Sequence, residues 1–338
     1  MTLHPVRVRG KRKASATKTP TTSLQPRKTK RSLASVVAGR SARQRATLES
    51  LPAEILEGIL LHSASLSLPR ASPVIGVKLS GRATLLRLFI WAFHDTWQQW
   101  FGIPAGQPVY HVPQVADMQQ VPCQGDHVLQ SEMLEMPWAK IDFILQAQQA
   151  WTDRYARGRW YRHSIPWQDD PGHLGHHHNG GFSHFDAREC FEADYRRALK
   201  WPPFYVESVK WRAQDVHPLA RMPTDLMTGP WDGEKLRRLF WLSRGGIVVD
   251  GDGQTPPSWE VKLQCLDNAV LSTPEPNVLV VNCLMQSWIF TDLPQDEVRK
   301  RLAGLDRRRV YWGDEPESSE ILRRTRNALD PFLLVPLE

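Results

Sequence analysis

The chain has 338 residues, of which 41% are hydrophobic and 23% charged, so it can bury one large or two ordinary cores. Its net charge of +7 is uneven, because residues 1–45 hold thirteen Lys or Arg and no Asp or Glu, which leaves a net charge of −6 for the remainder. No apolar run is long enough to span a membrane, and we expect no secretory signal. The four cysteines are too few and too scattered for a disulfide scaffold or a paired-cysteine metal site; they are Cys123, Cys190, Cys265 and Cys283.

Residues 1–45 are rich in Ser, Thr, Pro, Arg and Lys. Their few apolar residues bury too little surface to offset chain entropy, so we predict a disordered basic tail. Two basic clusters, at 11–13 and 27–31, have the spacing of a bipartite nuclear-import signal and predict a nuclear or nucleo-cytoplasmic protein. The alternative is a solvated tail without a specific role. Such a tail would bind nucleic acid unspecifically and in a salt-sensitive way.

Residues 48–62 have the pattern of an amphipathic helix. Pro52 suits the first helical turn and Glu54 the positive end of the helix dipole, with Ser50 or Leu51 as the cap. The apolar residues form one wide helical face, which consists of Leu51, Ile55, Leu56, Ile59 and Leu60. This face either packs on the apolar helix that follows or binds a partner protein.

Pro and Gly residues divide the rest of the chain into further predicted helices. These cover 73–79, 82–101, 137–155, 186–200, 232–244, 259–270, 278–288 and 294–305. The helix at 82–101 has no polar face, so we expect it to be buried on most sides. Residues 102–136 and 164–184 are predicted to be irregular. The chain is therefore predicted to be mainly α with a few short strands, and the helix ending at Gly245 resembles the second helix of a degenerate, ankyrin-like helix-pair repeat.

The segment LPAEILEGIL at 51–60, followed by LPRASPVIGVKLS at 68–80, resembles the F-box in the divergent form common among filamentous-fungal proteins. The resemblance covers about 47–95 and implies a three-helix F-box-like module at 46–100. Such a module docks on the small adaptor subunit of an SCF-type cullin–RING ubiquitin ligase and, through it, on cullin. The body at 101–338 would then bind an unknown protein substrate or have a structural role. Carried over residue by residue, the docking surface is Leu51, Pro52, Ile55, Leu56, Ile59 and Leu60.

Three other motifs have alternative readings. HLGHHHN at 173–179 would ligate a metal only with nearby carboxylates such as Asp186, and adjacent histidines on a Gly-rich stretch favour a solvated loop. VDGDGQ at 249–254 begins like a calcium loop but lacks its later acidic ligands. The Arg-aromatic stretch 154–163 suits either nucleic-acid stacking or the end of a helix whose Arg side chains stack on Trp160.

No nucleotide-binding or nucleophile motif is present in the sequence, and its carboxylates form no obvious acid–base pair. We therefore expect a non-enzymatic ubiquitin-ligase adaptor with no cofactor, no metal and no membrane partner. The alternative is a nuclear protein that associates with nucleic acid through its basic tail.

Overall fold

The computed structural model describes residues 47–102, 122–159, 161–162, 180–181, 185–205, 215–249, 254–273, 275–311 and 316–330. Within these ranges the protein is mainly helical, as predicted. The α-helices there are α1 (Ala53–Ser63), α2 (Pro73–Leu79), α3 (Arg82–Trp100), α4 (His127–Leu134), α5 (Ile141–Tyr155), α6 (Ala187–Ala198), α7 (Thr224–Thr228), α8 (Gly233–Arg244), α9 (Trp259–Leu266), α10 (Val278–Leu284), α11 (Gln295–Tyr311) and α12 (Pro316–Leu329).

Shorter elements complete the described secondary structure. Two-residue strands β1 (Tyr161–Arg162) and β2 (Gly180–Gly181) pair in an antiparallel ladder. A π-helical turn, Asp267–Leu271, continues α9, and 3-10 turns occur at Leu48–Ser50 and Ser287–Ile289. None of the helices in the described ranges is both long and apolar enough to cross a membrane.

Capping side chains determine where several helices begin. Asp126, Asp186 and Asp232 each precede a helix and accept backbone N–H bonds from its first turn, as N-cap residues do. The opening helix begins later than predicted, at Ala53, and Pro52 is its N-cap instead of Ser50 or Leu51. The reason is that Pro52 has an extended ψ of 152°, so it lies outside the helix.

Helix α4 lies in a stretch that the sequence predicts to be irregular. Its buried side includes Gln130 and Ser131, so its hydrophobic pattern is weak. Both side chains are satisfied by distant partners. Gln130 donates to the backbone O of Ala92 at 3.2 Å, and Ser131 Oγ accepts from the backbone N of Arg221 at 2.8 Å. Tertiary hydrogen bonds therefore add to the apolar burial of Leu129, Met133 and Leu134 on this helix, and helical periodicity does not reveal such bonds.

The aromatic side chains of α3 form the centre of the core. Phe89 and Phe93 stack with ring centroids 4.4 Å apart, and Trp97 contacts Trp151 of α5 edge-on at 5.7 Å. The indole N–H of Trp97 also donates to the backbone O of Asp215 at 2.8 Å. Helix α3 is thus part of the core of the body, and the described residues from Leu51 to Asp330 belong to one compact unit.

Candidate functional site

Helices α1 and α2 form a hairpin at the start of the compact unit. Their inner faces carry Leu56, Leu60, Ile75 and Leu79, all buried in the core. Lys78 Nζ donates to the backbone O of Leu51 at 2.8 Å. This bond holds the start of α1 beside the end of α2.

The six docking residues predicted from the sequence separate into three groups. Leu56 and Leu60 have no exposed surface, so a partner cannot contact them and they belong to the core. Leu51 and Ile59 are partly buried. Pro52 and Ile55 are exposed, and they are the members of the predicted set that a partner reaches most directly.

Helix geometry explains this separation. Successive residues of an α-helix point about 100° apart, because one turn takes about 3.6 residues. Leu56 and Leu60 share one stripe that faces the core, whereas Ile55 lies on a neighbouring stripe that the core does not cover. The apolar arc of α1 is therefore wider than the surface that its neighbours bury.

Helix α2 adds aliphatic side chains that sequence reasoning left out of the site. Val74 is 47% exposed and Val77 is 76% exposed, while Ile55 on α1 is 52% exposed. A signal was present in PVIGVKL, since a seven-residue helix with apolar residues on all sides cannot bury every one of them. We refer to Pro52, Ile55, Val74 and Val77 as the exposed aliphatic face.

Two contacts hold the hairpin in position. Arg87 of α3 forms an ion pair with Glu57 of α1, with one N–O distance of 2.8 Å. Gly76 lies so close to the preceding loop that a Cβ there would be 2.8 Å from the backbone O of Pro69, so a larger residue would force the two apart. The orientation of the exposed aliphatic face is therefore set by packing as well as by sequence.

A buried ionic cluster lies deeper in the same unit. Arg244 of α8 is 3.2 Å from Asp194 of α6 and 3.5 Å from Asp215, and Gln148 of α5 donates to Asp215 at 2.9 Å. Burial raises the pKa of Asp215, and Arg244 and Gln148 act against that rise. Since Arg244 and both carboxylates are buried, the cluster connects helices and offers no surface to a substrate.

His217 belongs to a second buried polar group. Its Nδ1 accepts from the backbone N of Leu219 at 3.1 Å, and its ring also bonds to the backbone of Cys123. Burial lowers the pKa of His217, and the neighbouring His127 lowers it further, whereas the Cys123 bond and Asp126 raise it. The folded protein therefore favours the neutral ring.

This shift predicts a pH dependence of stability. A histidine whose pKa is lower in the folded state binds fewer protons there, so the free energy of unfolding falls as the pH drops below the ordinary value of 6.5. We expect His217→Gln to remove the contribution of this histidine to the pH dependence of stability. Urea unfolding midpoints between pH 7.5 and 5 measure that dependence. The matched change of the exposed His62→Gln should leave the curve as in the wild type. Parallel curves for the wild type and His217→Gln would contradict the prediction.

The Arg-aromatic stretch makes intramolecular contacts of the helix-end type. Arg157 donates to the backbone O of Asp153. Arg159 lies over the ring of Trp151 and donates to the backbone O of Phe101 at 3.0 Å. The stacking partner is Trp151, whereas the predicted partner Trp160 lies outside the described residues.

Other sequence-predicted sites lie wholly or partly outside the described ranges. These are the histidines of 173–178, most of the calcium-like stretch and the basic tail at 1–45. Among the residues that the structure describes, no group of three or more His, Cys, Asp or Glu side chains is arranged to hold a metal ion.

Comparisons with protein-family models, with curated proteins and with solved structures found no match for this chain.

Proposed function

We propose that this chain is a substrate-recruiting adaptor of an SCF-type cullin–RING ubiquitin ligase. It binds the small adaptor subunit of the ligase through the exposed aliphatic face and, through that subunit, cullin. The observation that carries the proposal is the presence of half-exposed or largely exposed Ile and Val side chains on a hairpin whose inner faces are already in the core. Exposed apolar side chains that form a contiguous patch are typical of interaction sites.

The F-box resemblance supports the same assignment. Pro52 and Ile55 belong to LPAEILEGIL, and Val74 and Val77 belong to the LPRASPVIGVKLS segment that follows. The Lys78–Leu51 bond places the start of the first segment beside the end of the second. Helices α1 to α3 would form the F-box-like module, with the third helix built into the body.

The size of the face limits how much it contributes. Full burial of one Val or Ile side chain contributes roughly 1.5–3 kcal/mol, so three partly exposed ones supply roughly 3–6 kcal/mol. Association costs an estimated 4–15 kcal/mol. The partner therefore needs further contacts, and the partly buried Leu51 and Ile59 at the edge of the face are the nearest candidates.

The proposed mechanism is proximity. The chain holds a substrate protein near the ubiquitin-transfer machinery, raises its local concentration there and carries out no bond chemistry itself. On charge alone, we propose that residues 1–45 act in nuclear import, with unspecific nucleic-acid binding as the alternative role of this tail.

Co-expression of the full chain with the ligase's adaptor subunit tests the proposal. We expect a one-to-one complex in size-exclusion chromatography, which the double change Ile55→Asp and Val77→Asp abolishes because two charges would be placed in an apolar interface. The matched control is Val128→Asp, which alters a 50% exposed valine on α4.

The control variant and a chain without residues 1–45 should both keep the complex. A wild-type chain that stays monomeric beside the adaptor, or a double variant that still binds it, would overturn the proposal.

A further inference from the structure

A shallow depression of about 180 Å³ lies between α3 and α4. It is smaller than the roughly 300–1,000 Å³ of pockets that hold drug-sized ligands. Its size suits the end of a single amino-acid side chain. The lining residues are Trp91, Ala92, His94, Asp95, Asp126 and Leu129.

One wall of the depression is aromatic. Trp91, His94 and Asp95 lie three and four residues apart, so they share one face of α3. Trp91 is 44% exposed although it is a large apolar side chain. An exposed indole ring is the most favourable aromatic surface for a cation.

The depression is also negatively charged. Asp95 on α3 and Asp126 at the N-cap of α4 contribute carboxylates, and neither forms an ion pair with a basic side chain in the described part of the chain. One oxygen of Asp126 accepts the backbone N–H bonds of Val128 and Leu129 at 2.9 and 3.0 Å, which leaves its second oxygen outside this cap.

His94 also lines the depression, and its Nδ1 accepts from the indole N–H of Trp151 at 2.9 Å. The walls therefore include two carboxylates and an exposed tryptophan.

We propose that this depression binds a cationic side chain, above all arginine, of the protein that the adaptor recruits. A guanidinium group stacks on an indole face and at the same time donates to carboxylates in a fork. The inference rests on the proposed function in one respect only, which is that the bound peptide segment is assigned to the recruited substrate protein. The docking surface is a different one, since it lies on α1 and α2.

Peptide binding to the full chain, without any ligase subunit, tests this site. Two rhodamine-labelled, C-terminally amidated pentapeptides, Gly-Ser-Arg-Ser-Gly and Gly-Ser-Gln-Ser-Gly, are titrated at 0.15 M salt and followed by anisotropy. We expect the Arg peptide to bind at least about tenfold more tightly than the Gln peptide. Trp91→Ala and Asp95→Asn should each reduce that preference to about threefold or less.

Matched controls separate the site from general surface effects. Trp259→Ala alters another half-exposed tryptophan, and Asp296→Asn alters another exposed aspartate, and both should keep the preference for Arg. Equal binding of the two peptides to the wild type, or an unchanged preference in Asp95→Asn, would overturn the proposal.

The Asp95→Asn chain should still co-purify with the adaptor subunit. A wild-type chain that binds both peptides equally but still forms the adaptor complex would reject only this site. A confirmed peptide preference without an adaptor complex would reject the proposed function and keep the site.

Discussion

Replacing Arg244 with methionine is expected to lower the free energy of unfolding by about 3–5 kcal/mol. Arg244 lies between Asp194 and Asp215, and all three are buried. Methionine fills part of the volume but leaves two buried carboxylates without their cation. Urea unfolding at pH 7, followed by circular dichroism, measures the loss.

The pH dependence of the Arg244→Met variant checks the cause. Burial raises the pKa of Asp215, and Arg244 lowers it, so removal of the Arg should raise it further. A carboxyl whose pKa is higher in the folded state binds more protons there, so the variant should regain stability as the pH falls from 7 to 5. A loss of stability caused by steric damage alone would not be recovered as the pH falls.

The control for this variant is an exposed ion pair. Arg188 of α6 pairs with Asp142 of α5 at 2.8 Å, and both side chains are exposed. Arg188→Met should cost about 1 kcal/mol or less, as exposed pairs contribute little. A urea midpoint of Arg244→Met equal to that of the wild type would contradict the assigned role of the buried cluster.

Leu56→Asp is expected to prevent folding, whereas Ile55→Asp is expected to leave stability almost unchanged. Leu56 has no exposed surface, so the change removes a core side chain and buries a carboxylate, at a cost of more than about 4 kcal/mol. Ile55 is exposed and lies in the first turn of α1, where a negative charge favours the helix dipole. Its replacement should change stability by about 0.5 kcal/mol or less.

The soluble yield and the urea midpoint of the two variants measure this contrast. Leu56→Ala gives a milder version that should still fold, with a loss of about 2–5 kcal/mol. A soluble, folded Leu56→Asp protein would contradict the burial of this residue. Because Leu56→Asp would lose adaptor binding through unfolding alone, only changes at exposed positions such as Ile55 and Val77 test the docking surface.

Local sequence predicted most of the helices of this protein. Helix α2 has the predicted bounds, Pro73–Leu79, because Ser72 caps it and proline occupies its first position. Asp186 and Asp232 likewise mark the starts of α6 and α8. Helix α11 continues to Tyr311, beyond its predicted end near 305, and α12 was not predicted. The many charged residues of α11 and α12 make the apolar positions that pack in the core difficult to recognise in the sequence.

The candidate site was predicted only in part. Ile55 and Leu56 are adjacent aliphatic residues on one predicted face, and nothing in their local pattern distinguishes the exposed one from the buried one. The distinction depends on where α2 and α3 pack, and these helices cover Leu56 and leave Ile55 outside. Val74 and Val77 were missed for the same reason.

The amino-acid sequence by itself determined the helical class of this protein, most helix starts and the separation of a basic tail from a mildly acidic remainder. Short-range interactions control these properties, since capping, proline geometry and charge are local. Only the tertiary structure decided which aliphatic residues stay exposed, which carboxylates surround Arg244 and which residues line the depression beside Trp91. Those properties depend on contacts between residues far apart in the chain, and local propensity does not encode such contacts.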